Sequence, residues 1–554
     1  MPALVRSSAF LPREISGLPP TGGSHRGTKD EMAKRPEKSD GRVVPEGARK
    51  DVPTAAMRGG KAVTASETVG QLRLSFETAG YPQGAEATPG ADQAVSGVVP
   101  VPKSDDTSSR DLPAMTMEEV ASDGNLRRAF EAVARNKGAA GPDGQSIEQV
   151  REHLGEVLVE MKRELLAGRY QPGMIRRVWI PKPGGGERGL GIPDVVDRIV
   201  QQAVHQVLSP HYEPTFHAGS HGFRPGRSCH TAIEAAKKHL AEGHEWVVDL
   251  DLEKFFDRVH HERLVARLQL RVKDPQLIQL IRRMLKAKVV MPDGVVVATE
   301  EGTPQGGPLS PLLSNIVLDE LDRELEQRGH HFVRYADDAN IYVRSERAGQ
   351  RVMANIVGFI ERRLRLKVNA AKSAVAKAGQ RHFVGFTVRR SSNGRQIKVG
   401  LSERSRDRFE AKVRALTPRC VGRSFDACIK QVNQYLRGWI NFFGGSLTVD
   451  VNHKLKMLDG HIRRRLRVVL LKQWKRKRSI ARRLTRLGVQ ARTAWRVVYE
   501  GRKAPWALSY CNAVDHALGR VYFQKRGLLS LQGLFWEMVR SRRLARAQAA
   551  GETR

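Results

Sequence analysis

Cysteine is scarce, with four in 554 residues at Cys229, Cys420, Cys428 and Cys511. None forms a Cys-x-x-Cys pair, which excludes a zinc ribbon or a disulfide framework and leaves ordinary thiols of a reducing compartment. Long apolar runs are missing as well. No stretch approaches the roughly 18 residues of a membrane-spanning helix. The first residues, "MPALVRSSAFLPREISGLPP", break into prolines and charges where a signal core would stand. The expectation is a cytoplasmic protein with no membrane partner. Aromatics make up only 6%, and acid is short too, with 59 Asp+Glu against 94 Lys+Arg and a formal net charge of +35. So large an excess repels itself unless a polyanion balances it, and nucleic acid is the polyanion that fits.

The first 110 residues lack apolar periodicity apart from a brief "QLRLSF", and they are rich in Gly, Pro, Ser, Ala and charge. Such a segment cannot bury enough apolar surface to offset chain entropy, so a disordered N-terminal extension is expected over 1–110. Met32 leaves room for a shorter start. Order is expected from about residue 111. Asp123 is placed to cap a helix through Arg135, and "GPDG" follows as a turn. A second helix, "SIEQVREHLGEVLVEMKRELLAG", carries Ile147, Val150, Leu154, Val157, Leu158, Met161 and Leu165 at helical spacing. "IRRVWIPKPGGGERGLGIP" reads as strand, Gly-rich turn and strand. Short strands and helices then alternate from 246 to 390, including a helix "ANIVGFIERRLRLKV", and the chain beyond 400 reads as basic helix. The order is α+β, without the regular βαβ alternation of a doubly wound sheet.

Two acidic segments carry the chemistry. "HFVRYADDANIYV" sets Asp337 and Asp338 side by side between strand formers. Adjacent carboxylates repel, so the pair needs either a solvated turn or a cation. "EWVVDLDLEKFFDRV" puts Asp249 and Asp251 on one face of a strand, where an acid among Val and Leu must be paired or ligate metal. Together the two segments make a carboxylate cluster able to hold two divalent cations. Transfer of a nucleotide to a growing 3′ end needs such a cluster: one ion acidifies the attacking hydroxyl, and both stabilise charge on the phosphate. Magnesium suits these hard oxygen ligands.

"YADD" at 335–338, with an Asp-x-x-x-Phe-Phe strand before it, resembles the active site of reverse transcriptases. In chain order, "GAAGPDGQS", "RRVWIPKPGGGERGLGIPDVVDRIVQ", "HGFRPGRSCHTAI", "VVDLDLEKFFD", "GTPQGGPLSPLLSNIVLDELD", "RYADD", "LKVNAAKS", "FVGF" and "VNQYLRGWINFFG" resemble the group II intron reverse transcriptase/maturase family over about residues 115–540. The resemblance implies a right-hand polymerase, with fingers and palm over 111–390, an α-helical thumb/maturase domain over 391–503, and a short basic appendage over 504–554. It implies that Asp251, Asp337 and Asp338 are the catalytic, metal-binding triad for two Mg2+ ions, with the carbonyl of Leu252 as a further ligand. Asp249 lies outside the matched position and is left a supporting role, and Asp257 a structural hydrogen bond.

Five residues are expected at the nucleotide. Lys182 and Arg188 flank the turn "KPGGGER", where cations would offset a triphosphate. Gly189 stands where the family more often has Pro, which loosens that turn. Phe256 matches the aromatic that blocks a 2′ hydroxyl, Gln305 in "TPQGG" would line the pocket, and Lys372 in "NAAKS" would lie near substrate phosphates. Arg224 and Arg227 in "FRPGRS" are expected to reach template backbone. Taken singly, these residues also read as a solvated basic turn, a core phenylalanine and a surface ion pair.

Residues 461–503 contain a single acid, Glu500. Leu466, Val469, Leu470 and Trp474 make an apolar helix stripe with arginine on the other face. The density of Arg463, Arg464, Arg465, Lys475, Arg476, Lys477 and Arg478, with Trp474 and Trp495 interleaved, favours RNA over a solvated charge run. Residues 504–540 read equally as a DNA-contacting appendage or a terminal helical cap. Family members with an endonuclease carry Cys pairs in the place that follows Trp536; the residues there have none, so the expectation is an endonuclease-free type. The implied activity is an RNA-directed DNA polymerase that binds its group II intron RNA, assists its splicing, and copies it into DNA during retrohoming. Its implied partners are that RNA, a DNA target and primer, and deoxynucleoside triphosphates, with nucleoid association when acting on DNA. Homodimer formation stays open. A reverse transcriptase of another system would lack "LRGWINFFG"; a pure RNA chaperone would have no need of all three carboxylates; an RNA polymerase conflicts with Phe256.

Overall fold

The computed structural model describes residues 112, 114–181, 186–418, 422, 424–500 and 504–551. The extension expected over 1–110, Lys182 and Cys420 lie outside the described residues. After a single helical turn at Met117–Val120 come α1 (Asp123–Arg135) and, further on, α2 (Leu154–Leu166). Ser122, not Asp123, is the N-cap of α1, and Asp123 instead sits in the first turn, where its charge favours the helix dipole. The long helix expected from Ser146 is split. Ser146 opens a short helix, Ile147–Glu152, through a capping box with Gln149, and His153 then leaves helical geometry before α2 begins.

Strands β1 (Ile175–Pro181) and β2 (Glu187–Ile192) form the expected antiparallel hairpin. β1 also pairs in parallel with the short β4 (Val289–Val290), so the first sheet has the order β2-β1-β4-β5, with β5 at Val296–Val297. Helices α3 (Val195–Tyr212) and α4 (Cys229–Ala241) lead to the central sheet. That sheet is antiparallel in the order β6-β7-β3-β8, with β3 Trp246–Leu250, β6 His331–Tyr335, β7 Asp338–Val343 and β8 Ala374–Lys377. Between β5 and β6 runs α5 (Ser310–Gln327), and after β7 comes α6 (Glu346–Phe359).

Strand alternation divides the central sheet cleanly between two cores. Val248, Leu250, Phe332, Ala339 and Ile341 pack with α1, α2, α3, α5 and α6, while Val247, Val333 and Tyr342 pack with α4 and the C-terminal helices. Beyond α6 the helix expected through Val368 stops early. Arg365 turns left-handed at φ 56°, and Val368 forms an antiparallel bridge with Leu252.

A two-stranded ribbon, β9 (Phe386–Arg390) with β10 (Ile397–Leu401), precedes the helical C-terminal region. Its helices include α7 (Phe425–Phe443), α8 (Asn452–Gln473), α9 (Lys477–Arg486), α10 (Ala491–Tyr499) and α11 (Leu531–Gly551). Residues 504–540 share the core of α7 and α8 through Leu508, Val514, Leu518, Phe523, Leu531 and Phe535. Asp459 of α8 caps the start of α11, accepting from Ser530 Oγ at 2.6 Å and from the Leu531 amide at 2.8 Å. Among the described residues no helix is long and apolar enough to cross a membrane.

Candidate active site and nucleic-acid interface

The acidic turn is built by its neighbours. β6 and β7 close with Tyr335 opposite Asp338, leaving Ala336 and Asp337 as a two-residue connection. Ala336 is buried and left-handed at φ 56°, a conformation an alanine holds only when its surroundings impose it. Arg334 supplies the constraint. Its five N–H groups donate to Asp322 Oδ1 and Oδ2 at 2.7 and 2.6 Å, Ser220 Oγ at 2.7 Å, Asn315 Oδ1 at 3.1 Å and the Ala336 carbonyl at 2.9 Å. The segment through Gly219–Gly222 lies along the outer side of β6, where Arg334 donates its amide to Gly219 O and accepts from the His221 amide. A Cβ on Gly222 would stand 2.2 Å from the Ala336 nitrogen, so only glycine lets this segment approach the turn.

β3 delivers the other carboxylates. Asp249 pairs across to Asn340 and Ala374, and Asp251 follows directly on the strand's last residue. Asp249 is engaged by Arg381, at 2.6 Å from Nη2 and 2.8 Å from Nε. Asp251 keeps its carboxylate toward Lys372, at 3.4 Å, while its backbone is fixed by Ser373 Oγ and the Asn369 amide. In the bridge between Leu252 and Val368, hydrogen bonds run from Glu253 N to Lys367 O and from Asn369 N to Asp251 O. Leu252's own carbonyl takes no part in that pair of bonds.

Electrostatics marks the four carboxylates as one cluster. Loss of hydration pushes the Asp338 carboxyl up to about 7, and the charges of Asp337, Asp249 and Asp251 push in the same direction. Asp337 is raised by loss of hydration and by Asp251, against a lowering from its own amide and from Arg188. Burial also raises Asp249, with Arg381 opposing. All three carboxyls are raised, first by burial and then by one another's negative charge, which the side chains around them do not offset in full. Hard oxygen donors in that state are the set that takes up a magnesium-class cation.

Two further elements face this cluster. Arg188 on β2 is exposed and close enough to lower Asp337. The loop before α5 is tied to β2, because the Gly191 amide donates to Gln305 O at 2.7 Å and a Cβ on Gly306 (φ 135°) would meet Gly191 O at 2.2 Å. The same loop holds the Phe256 backbone through a 2.6 Å bond from the Thr303 amide, and the half-buried Phe256 ring meets Phe255 edge-on at 5.2 Å. Lys372 is exposed beside Asp251. The structure thus brings Arg188 and Lys372 to the carboxylates, while the loop that carries Gln305 is tied to β2 and to the backbone of Phe256.

Several expected nucleic-acid contacts are otherwise engaged. Arg224 is buried, bonding Glu213 and the carbonyls of Glu213, His217 and Ser220, all at 2.9 Å. It therefore fixes the 213–224 loop. Arg227 donates to Ala218 O at 2.5 Å in the same loop. Arg465 is 5% exposed and donates to Thr417 Oγ1 and Thr417 O, an interior tie between helices in place of the expected RNA contact. Arg463 is half-buried, and Arg464 stacks on Trp506 at 4.0 Å and Tyr510 at 4.8 Å. Lys475, Arg476, Lys477 and Arg478 stand exposed at the start of α9.

Sequence reasoning missed the support of the turn: Arg334, Asp322, Asn315 and Ser220. A signal was present. Asp322 falls on the apolar stripe of Leu318, Leu321 and Leu325, and Arg334 takes the same strand face as buried Phe332. Two opposite charges in two core-facing patterns ask to be paired.

Residues 180–388 match the family described as reverse transcriptase (RNA-dependent DNA polymerase), and residues 406–488 match the group II intron maturase-specific domain. Protein YkfC of Escherichia coli K12 is 35% identical over 290 residues, covering 45% of this chain and 76% of that protein. The group II intron-encoded protein LtrA of Lactococcus lactis is 38% identical over 214 residues, 37% of this chain and 34% of LtrA. A 91 kDa protein in the cob intron of Schizosaccharomyces pombe is 34% identical over 245 residues, 42% of this chain and 29% of that protein. The alignments thus span most of one relative and about a third of the other two. An acidic hairpin facing a carboxylate strand, joined to a basic helical region that matches a maturase segment, makes this chain a member of the group II intron reverse transcriptase/maturase family, whose enzymes are RNA-directed DNA polymerases.

Proposed function

We propose that this chain copies its group II intron RNA into DNA during retrohoming, by nucleotidyl transfer at Asp251, Asp337 and Asp338, and assists splicing of the same RNA through its basic helices. The observation that carries the reading is the geometry that sets Asp249 and Asp251 at the end of β3 beside the β6–β7 turn with Asp337 and Asp338, four carboxylates whose mutual charge a divalent pair would relieve. Asp251, Asp337, Asp338 and the Leu252 carbonyl would hold two Mg2+ ions, which supply acidification of the primer hydroxyl and stabilisation of phosphate charge.

The chain's own residues do the rest. Arg188, near Asp337, and Lys372, near Asp251, offset triphosphate charge, and Lys182, close to Arg188 in sequence, is assigned the same role. Gln305 borders the nucleotide, and the Phe256 ring excludes a ribose 2′ hydroxyl by its bulk. The β1–β2 hairpin and first helices act as fingers, the central sheet as palm, and the helical region as thumb and maturase surface. Those boundaries correspond to 111–390 and 391–503, with 504–554 as a cap on the thumb. DNA target, primer and deoxynucleoside triphosphates are the remaining partners. A cytoplasmic site of action beside the nucleoid follows from them, and dimer formation is a matter for sedimentation.

Primer extension on an RNA template tests the assignment. Asp251→Ala or Asp337→Ala should lower the rate on the order of 10³-fold or more, several kcal/mol of barrier. An Asp337→Ala, Asp338→Ala double variant should still promote intron splicing at low Mg2+. Near-normal extension by the single variants removes the catalytic assignment.

A further inference from the structure

At the opposite end of the strands that carry the carboxylates, three potential ligands converge. His239 lies in the last turn of α4, Glu242 is that helix's C-cap, and His331 opens β6. One ligand atom from each lies within 4.8 Å of the other two. His239 Nδ1 stands 3.5 Å from Glu242 Oε2. Two ligands at about 2.0–2.1 Å from a tetrahedral zinc are about 3.3 Å apart, so this separation is close to that of neighbours sharing an ion. His239 and Glu242 are one helical turn apart, the spacing by which helices present paired metal ligands.

His244 adds a second-rank imidazole, with its ring 4.3 Å from that of His331. Glu242 and His331 are exposed, which leaves an entry path and room for water. Nitrogen and carboxylate donors of this mixture suit zinc and its transition-metal neighbours better than magnesium.

We propose that His239, Glu242 and His331 form a zinc-class metal site, completed by water or by rotation of His244, that clips the end of α4 to the first residue of β6. The site is structural. It lies about six residues from Asp337 along the hairpin strand, roughly 20 Å at strand rise. It anchors the loop entering β3 and the strand leading to the acidic turn, the two segments on which the carboxylates hang.

The full-length chain, stripped with a chelator and then dialysed against Zn2+ in excess Mg2+, should retain one equivalent of zinc by elemental analysis. Co2+ in place of zinc should give the visible absorption of a low-coordinate site. Zinc should raise the melting temperature, and His331→Gln and Glu242→Gln should each lose the equivalent, the absorption and the shift together. Both positions are exposed, so neither substitution opens a core. Failure of the unaltered chain to retain zinc, or retention of the same equivalent by both variants, overturns the proposal.

Discussion

Arg334 and Asp322 form a two-pronged ion pair from which water is excluded, with side chains 1% and 0% exposed and hydrogen bonds of 2.7 and 2.6 Å. The pair joins the acidic hairpin to α5, and its remaining donors hold the Ala336 carbonyl inside the turn. Breaking one partner strands a buried charge, at about 3–5 kcal/mol, whereas replacing both by apolar residues of similar size is often neutral. Asp322→Asn should therefore be strongly destabilised in denaturant titrations. An Arg334→Met, Asp322→Leu double variant should regain much of that stability. Its primer extension should stay low, by roughly 10²-fold, because the turn is without the donor that sets its position. Full activity in the double variant would show that the pair serves folding alone.

The raised Asp338 carboxyl gives a pH dependence whose sign is fixed. Its folded value, about 7, lies above the unfolded value near 3.9. Between those values the folded chain binds more protons than the unfolded one, so stability falls as pH rises from about 4 to 7. Melting in chelator should show that fall, and Asp338→Asn should flatten it. Mg2+ should restore stability increasingly as pH rises through 7, since protons then cease to compete for the oxygens. Identical pH profiles for the two proteins would detach Asp338 from the cluster.

Phe256 is held by its backbone to the loop before α5 and by its neighbour's ring, so its side chain can be shortened without emptying the core. Phe256→Val should raise ribonucleotide incorporation relative to deoxynucleotide by on the order of tenfold, the worth of a methylene-sized clash or more. Overall extension should fall only modestly. An unchanged sugar preference would make the ring ordinary packing.

The elements that sequence shows best are those set by local rules. The acidic hairpin, the β1–β2 hairpin and the placing of Asp249 in β3 follow from strand alternation and turn chemistry, whereas Asp251 lies just past the strand's end. What was hidden depends on partners remote in sequence. The helix expected through Val368 looks continuous because its apolar spacing continues, yet Arg365 breaks it so that Val368 can pair with Leu252. The surface role expected of Arg224 and Arg465 follows from charge, whereas both guanidiniums are drawn inward by carbonyls that only the folded loops assemble. Arg-rich sequence therefore overstates the surface offered to RNA. Arg467 makes the same point, bonded to Ser509 O and Leu518 O at 2.8 and 3.1 Å and paired with Asp515.

The cations left in solvent are the ones that can meet RNA. Lys475, Arg476, Lys477 and Arg478 are exposed, and Lys477 and Arg478 occupy the first turn of α9, which contains no acid. The helix dipole favours anions there, so cations in that turn add to its positive end and draw in phosphate. Replacing the four with Gln should lower intron RNA affinity and flatten the slope of log K against log salt, by somewhat under ~1 unit for each phosphate no longer neutralised. Thermal stability should hold or rise, because mutual repulsion is removed. Arg465→Gln should do the opposite: its donors hold Thr417 inside the fold, so the melting temperature should fall while the salt slope is kept. The two variants separate charge that binds RNA from charge that binds the protein to itself. A four-Gln variant with an unchanged slope and undiminished splicing would leave the α9 face as solvated surface, and RNA would then have to bind on another face of the helical region.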